Sequence, residues 1–192
     1  MAAFAAAVKI DSFAYMPVQD FGNAFSTFVA QNFGAGKKDR IHRGTRSAVT
    51  VSTVFCLVVS ALVFIFAAPL MKIFIEASRP DIIKIGVGYL RIEGSFYFGI
   101  GILFLLYGYY RAVSKPAMSV VLTVISLGTR VVLAYVLSAI PAVGVTGIWM
   151  SVPIGWVLAD ATGLIYMYKL EKKKRMKKAA GHSNQAAFFR SV

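Results

Sequence analysis

The sequence has 192 residues, 58% of them hydrophobic, with a mean hydropathy of +0.68 and a formal net charge of +13. Soluble domains are usually about 45–50% apolar, and the excess here lies in long blocks parted by short charged patches, which excludes a soluble enzyme. The charge is not a nucleic-acid footprint either, because Lys37, Lys38, Arg40, Arg43, Arg46 and the run from Lys169 to Lys178 sit at the ends of apolar blocks rather than on a polar face.

Residues 1–33 are rich in Ala and Phe but carry Lys9, Asp11, Gln19, Asp20 and Asn23, with no turn-forming cluster before Gly34-Ala35-Gly36. They predict a span near 5–33 that faces other helices or water rather than lipid, kinked at Pro17. An amphipathic helix lying on the membrane surface is the alternative. Ala48 to Leu70 is uncharged and, at about 1.5 Å per residue, long enough for the roughly 30 Å hydrocarbon core. Ile85 to Tyr110 follows, interrupted by Arg91 and Glu93. Pro116 to Ile140 holds Arg130 as its one charge, and Gly147 to Tyr168 holds Asp160. The expected fold is therefore all-α, a polytopic membrane bundle of about five spans (near 5–33, 48–70, 85–110, 116–140 and 147–168) within residues 1–170. A basic, mobile tail over 171–192 would touch anionic lipid headgroups.

The connections alternate in charge. Gly34 to Arg46 reads as a strongly basic loop, Lys72 to Lys84 is mixed, Arg111 to Lys115 is short and basic, Pro141 to Thr146 is uncharged, and the tail is basic. By the positive-inside rule the N-terminus lies outside and the C-terminus in the cytoplasm.

Little in the chain suggests catalysis or a cofactor. Cys56 is the single cysteine, and His42 and His182 lie outside the spans, so neither a metal cluster nor a nucleophilic triad is expected. Charges inside spans are expensive and need a partner or a water-lined face. Asp11, Tyr15, Gln19, Asn23, Thr27 and Gln31 recur every four residues, a slowly winding polar stripe that suits a pathway wall or hydrogen bonds to neighbouring helices. Glu93 lies about 12 Å beyond Ile85, between Tyr89 and Tyr97. It is a candidate proton or sodium site, or one half of a structural pair with Arg130 or Lys9. Arg130 and Asp160 form a candidate neutralising pair. Asp20 sits either on the cation pathway or against Asn23 and Gln19. Gly34 and Gly36 do not meet the phosphate-loop fingerprint and serve to end the helix.

The run from Gly22 to Ile41, with Gln31-Asn32-Phe33-Gly34-Ala35-Gly36 and Arg40 at its centre, closely resembles a motif of the multidrug and toxic compound extrusion (MATE) transporters. Gly88-Tyr89-Leu90-Arg91-Ile92, Gly147-Ile148-Trp149 and Pro153-Ile154-Gly155-Trp156 fit the same family, and Tyr109 to Pro116 around Arg111 is a weakened form of another of its motifs. The resemblance extends to about Tyr168. It implies twelve helices in two lobes, of which this sequence matches the last five helices of the second. The chain is then a gene fragment, a truncated reading frame, or one piece of a split protein. Gln31, Asn32, Gly34, Gly36, Arg40 and Arg111 take structural roles in the family pattern. One family acid is expected near Ile100, where this chain has none, so Asp11, Glu93 and Asp20 stand as substitute ion-coupling candidates, with Na+ or a proton as the ion. Gln19, Asn23, Tyr97 and Phe98 are substrate-path candidates, and aromatic faces such as Tyr107 and Trp156 suit flat cationic drugs.

The implied function is a share in a cation-coupled antiporter of a bacterial inner membrane, exporting cationic or amphipathic compounds and inactive without the first lobe, in cis or as a separate chain. A lipid-linked oligosaccharide flippase of the same superfamily and a non-transporting scaffold whose basic tail binds anionic lipid are the alternatives.

Overall fold

The computed structural model describes residues 2–141 and 143–190, with side chains as far as residue 173 together with Met176. Its elements are helical throughout: α1 (Ala2–Gly34), α2 (Lys38–Phe74), α3 (Pro80–Gly94), α4 (Tyr97–Ala112), α5 (Pro116–Ser138) and α6 (Gly144–Arg190). Two compact units are present, one through Asp160 and one from Ala161 onward. The second is helical as far as Arg190, where the sequence suggested a mobile tail; most of its basic side chains lie outside the described residues.

Among the described residues, three helices are long and apolar enough to cross a membrane: α2, α5 and the Gly144–Lys173 stretch of α6. A fourth span is possible only as the pair α3 and α4 taken together, bent by 51°. The single continuous span expected over 85–110 is thus a broken one. At the break Ser95 donates its hydroxyl to the Arg91 carbonyl at 2.6 Å, and Phe96 N–H takes the Glu93 carbonyl only three residues back. Both are local bonds that tighten a turn and compete with helical continuation. Helix α1, expected as a span near 5–33, is long enough but is not among the helices apolar enough to cross a membrane within the described residues, so three or four spans are found where five were expected.

Helix ends follow ordinary stereochemistry. Pro80 and Pro116 occupy the first turns of α3 and α5, where a missing N–H is harmless. Between α1 and α2, Lys37 N–H bonds the Asn32 carbonyl at 2.9 Å and Gly36 N–H the Phe33 carbonyl at 3.1 Å. With Gly36 at φ 68°, this is a Schellman cap, the left-handed turn that glycine adopts without steric cost. The connection is short, so Lys38 to Arg46, expected within a basic loop, forms the opening turns of α2.

The core of the first unit is α1 packed on α4, with α2 and α3 alongside. It closes on glycine. A Cβ on Gly108 would stand 2.5 Å from the Gly22 carbonyl oxygen, and one on Gly101 would stand 2.7 Å from the Cys56 sulfur. Small residues let membrane helices approach until backbones touch. Around the α1–α4 contact, Phe25, Val29, Ile41, Ala48 and Leu105 form one buried cluster.

Candidate functional site

The break between α3 and α4 faces the first half of α1, and there the chain buries two acids. Asp11 on α1 is 3% exposed and Glu93, next to last on α3, is 5% exposed. The Tyr97 hydroxyl, at the start of α4, donates a short hydrogen bond to Asp11 Oδ1. Glu93 and Tyr89 lie close to the Asp11 carboxyl. One oxygen of each acid, Asp11 Oδ2 and Glu93 Oε1, is buried without a partner among the described residues. Such groups are costly to leave unsatisfied, which marks the place as one adapted to something other than stability.

The bend makes the cluster possible. In a straight helix Tyr97 would follow Glu93 one turn along the same face. The break instead lets α4 start afresh, so the two tyrosines approach the acids from separate helices. Tyr89 is held edge-on between two rings, with Phe4 at 5.4 Å and Trp149 at 5.9 Å between centroids, geometry that aromatic quadrupoles favour.

Beside the acids lies a cavity of about 540 Å³, lined by Asp11, Glu93, Tyr89, Tyr15, Trp149, Trp156 and Arg130 among others. Its size is that of a pocket for a drug-sized molecule. Arg130 borders this space, and Asp160 on α6 is a further buried acid. Asp160 Oδ1 and Arg130 Nε each lack a hydrogen-bond partner among the described residues, so these atoms do not join the expected neutralising pair in a bond. A second cavity, also about 540 Å³, lies between α1 and α2 and is lined by apolar residues such as Phe13, Leu62 and Phe66; it offers no polar chemistry.

The remaining sequence candidates scatter. Asp20 and Gln19 are exposed on α1, away from the acids. Asn23 accepts a hydrogen bond from Arg111 Nη2 at 3.0 Å, and Arg111 Nε also donates to the Tyr107 carbonyl at 3.3 Å, so this pair ties the end of α4 to α1. Tyr97 turns toward Asp11, and Phe98 lies near Phe96 at 6.3 Å between ring centroids. None of Gln19, Asn23, Tyr97 and Phe98 lines the acid-bearing cavity. The polar stripe is buried at Asp11 and exposed by Gln19. Of the two partners expected for Glu93, Lys9 is exposed, whereas Arg130 lies near enough for its charge to act on that carboxyl; Arg91 lies over the Phe64 ring at 5.2 Å. Gln31 and Arg40 are exposed, while Asn32 is buried and donates to the Phe28 carbonyl at 2.8 Å. Phe4 and Tyr135, which sequence reasoning passed over, join the cavity wall. The repeat of Trp149 and Trp156 two turns apart was the one signal for that wall.

Broken membrane helices and acids buried within spans are features that recur in transporters. The family model described as MatE matches residues 1–136, and the chain belongs to this family of MATE transporters. It is similar to a protein of Thermotoga maritima named as a multidrug resistance protein, NorM, at 26% identity over 88% of this chain and 36% of that protein. It is also similar to a Bacillus subtilis protein named as multidrug resistance protein YpnP, at 28% identity over 91% of this chain and 38% of that one. Among solved structures, a MATE protein in complex with MaL6 has the same fold over 91% of this chain and 39% of its own, with a TM-score of 0.83 at 19% identity. The chain thus spans well under half the length of these relatives, and like them it is an integral membrane protein.

Proposed function

We propose that the chain supplies part of one lobe of a cation-coupled multidrug antiporter, with Asp11 and Glu93 holding the coupling ion and the neighbouring cavity holding the exported compound. One observation carries this reading: two buried carboxylates from different helices, each with an unpartnered oxygen, open on a shared aromatic cavity. Facing carboxylates repel in a low-dielectric setting, and a proton or Na+ between them removes that repulsion. A cationic drug reaching the same acids does the same, so ion and drug exclude each other. That exclusion is the thermodynamic basis of exchange. The aromatic rings add faces for flat cations.

The relatives' names support multidrug export, and the family's membrane character supports a bacterial inner membrane with the basic C-terminal stretch on the cytoplasmic side. Membrane lipid and a first lobe, in cis or as a separate chain, are the partners this reading requires. Alternating access rocks two lobes about a central site, so the chain alone binds but does not transport.

The test is displacement. The 192-residue chain in lipid nanodiscs is titrated with a fluorescent organic cation in weakly buffered medium, with and without Na+. Dye binding is expected to release protons, or to weaken as Na+ rises, and Glu93→Gln is expected to abolish that linkage. Dye affinity indifferent to both ions would sink the proposal.

A further inference from the structure

The acid-bearing cavity also holds a cation. Among the described residues Arg130, on α5, is the one basic side chain that lines it, on a wall otherwise built of aromatic and aliphatic residues, Ser151 and the two acids. Its Nε–H is buried and unbonded among the described residues. Glu93 Oε1 and Asp160 Oδ1 are likewise unbonded, so the guanidinium is not used up by a hydrogen bond to either of these atoms. A guanidinium whose buried N–H stands idle is costly. It presents a planar fork that matches carboxylate or phosphate in two-point fashion.

From this placement we infer that Arg130 reads an anionic group on the exported molecule, so that the cavity takes flat aromatic zwitterions in preference to simple cations. This rests on the reading of the cavity as the cargo site. The cavity wall carries charge of both signs, Asp11 and Glu93 together with Arg130, and the rings of Tyr89, Trp149 and Trp156. A molecule with an amine at one end and a carboxylate at the other meets both charges in a single orientation, while its ring system lies against the aromatic wall. A purely cationic analogue satisfies the acids but leaves the Arg130 N–H buried and unpaired. Sites built to bond a polar group discriminate strongly against analogues that lack it.

Rhodamine B, which carries a free carboxylate beside its cationic ring system, and its ethyl ester, which is a cation only, differ in this one respect. Fluorescence anisotropy with the full chain in nanodiscs is expected to give about tenfold tighter binding of rhodamine B than of the ester, as a desolvated bidentate contact implies. Arg130→Gln should erase that preference by weakening rhodamine B about tenfold, leaving the ester within about twofold. Arg130→Lys, which keeps the charge without the fork, should fall between the two, and it serves as the test if the Gln variant does not fold. A tenfold preference that persists in a folded variant, or equal weakening of both dyes, overturns the role of Arg130 while the cargo cavity stands. A wild-type chain that binds neither dye overturns the cargo site itself, and this inference with it.

Discussion

The two ends of α1 are built on opposite principles. Near Asp11 the helix presents a buried carboxylate oxygen with no partner among the described residues, beside empty space and against a broken neighbour. From Gly22 to Gly36 it has little spare room: backbone meets backbone at Gly108, Asn23 is tied to Arg111, and the terminal carbonyls of Asn32 and Phe33 are taken up by the Schellman cap. One end is satisfied and close-packed, the other unsatisfied and open. A helix anchored at one end can hold a costly site at the other, because stability and function are drawn from different turns.

The sharpest way to break that contrast is to attack the anchor. Gly108→Leu drives a side chain into the Gly22 carbonyl and Ser26. Overpacking against backbone has no rotamer to escape into and should cost about 3 kcal/mol or more, read as loss of the monodisperse species or a collapsed thermal midpoint in detergent. The open end should respond in the reverse sense. Asp11→Asn with Glu93→Gln removes a buried like-charge pair, so thermal stability should hold or rise, while ion-linked dye binding falls at least about tenfold by the general trade of stability for function. A variant that unfolds would mean that these acids are structural after all.

Smaller changes sharpen the comparison. Arg111→Ala removes the bond to Asn23 at an exposed position and should lower stability by about 1 kcal/mol without altering dye affinity. Ser114 sits at φ 59°, with Lys115 N–H bonded to the Tyr110 carbonyl at 2.9 Å. This is the arrangement Gly36 completes at the other loop, but with a side chain in the left-handed region. Ser114→Gly should therefore stabilise by about 0.5–1 kcal/mol, seen as a small rise in the same thermal midpoint.

Much of this was legible in the sequence. Hydropathy located the helices now numbered α2, α5 and α6, because a continuous apolar run has few other uses, and Gly34-Ala35-Gly36 marked the turn after α1 because glycine tolerates what other residues resist. Asp11 and Glu93 stood out by the expense of charge in a span. That they meet was not legible: periodicity describes one helix at a time, and the pairing of α1 with α3 and α4 rests on contacts far apart in the chain. The break at Ser95 escaped notice for want of a proline, since Gly94-Ser95 is a weak breaker inside an apolar run. The aromatic wall was missed for a related reason, with Phe4 and Trp149 near opposite ends of the sequence and joined only through Tyr89.

The break has an electrical consequence. An unbroken helix from Pro80 to Ala112 would carry its macrodipole charges at its two distant ends, roughly half an elementary charge at each. Split at Ser95, it becomes two dipoles whose inner ends meet beside the acids. The negative end of α3 lies at Glu93 and the positive end of α4 at Tyr97, the residue bonded to Asp11. The carboxylates therefore sit in unlike backbone fields, and a cation arriving between them is drawn toward the Glu93 side before any side chain moves.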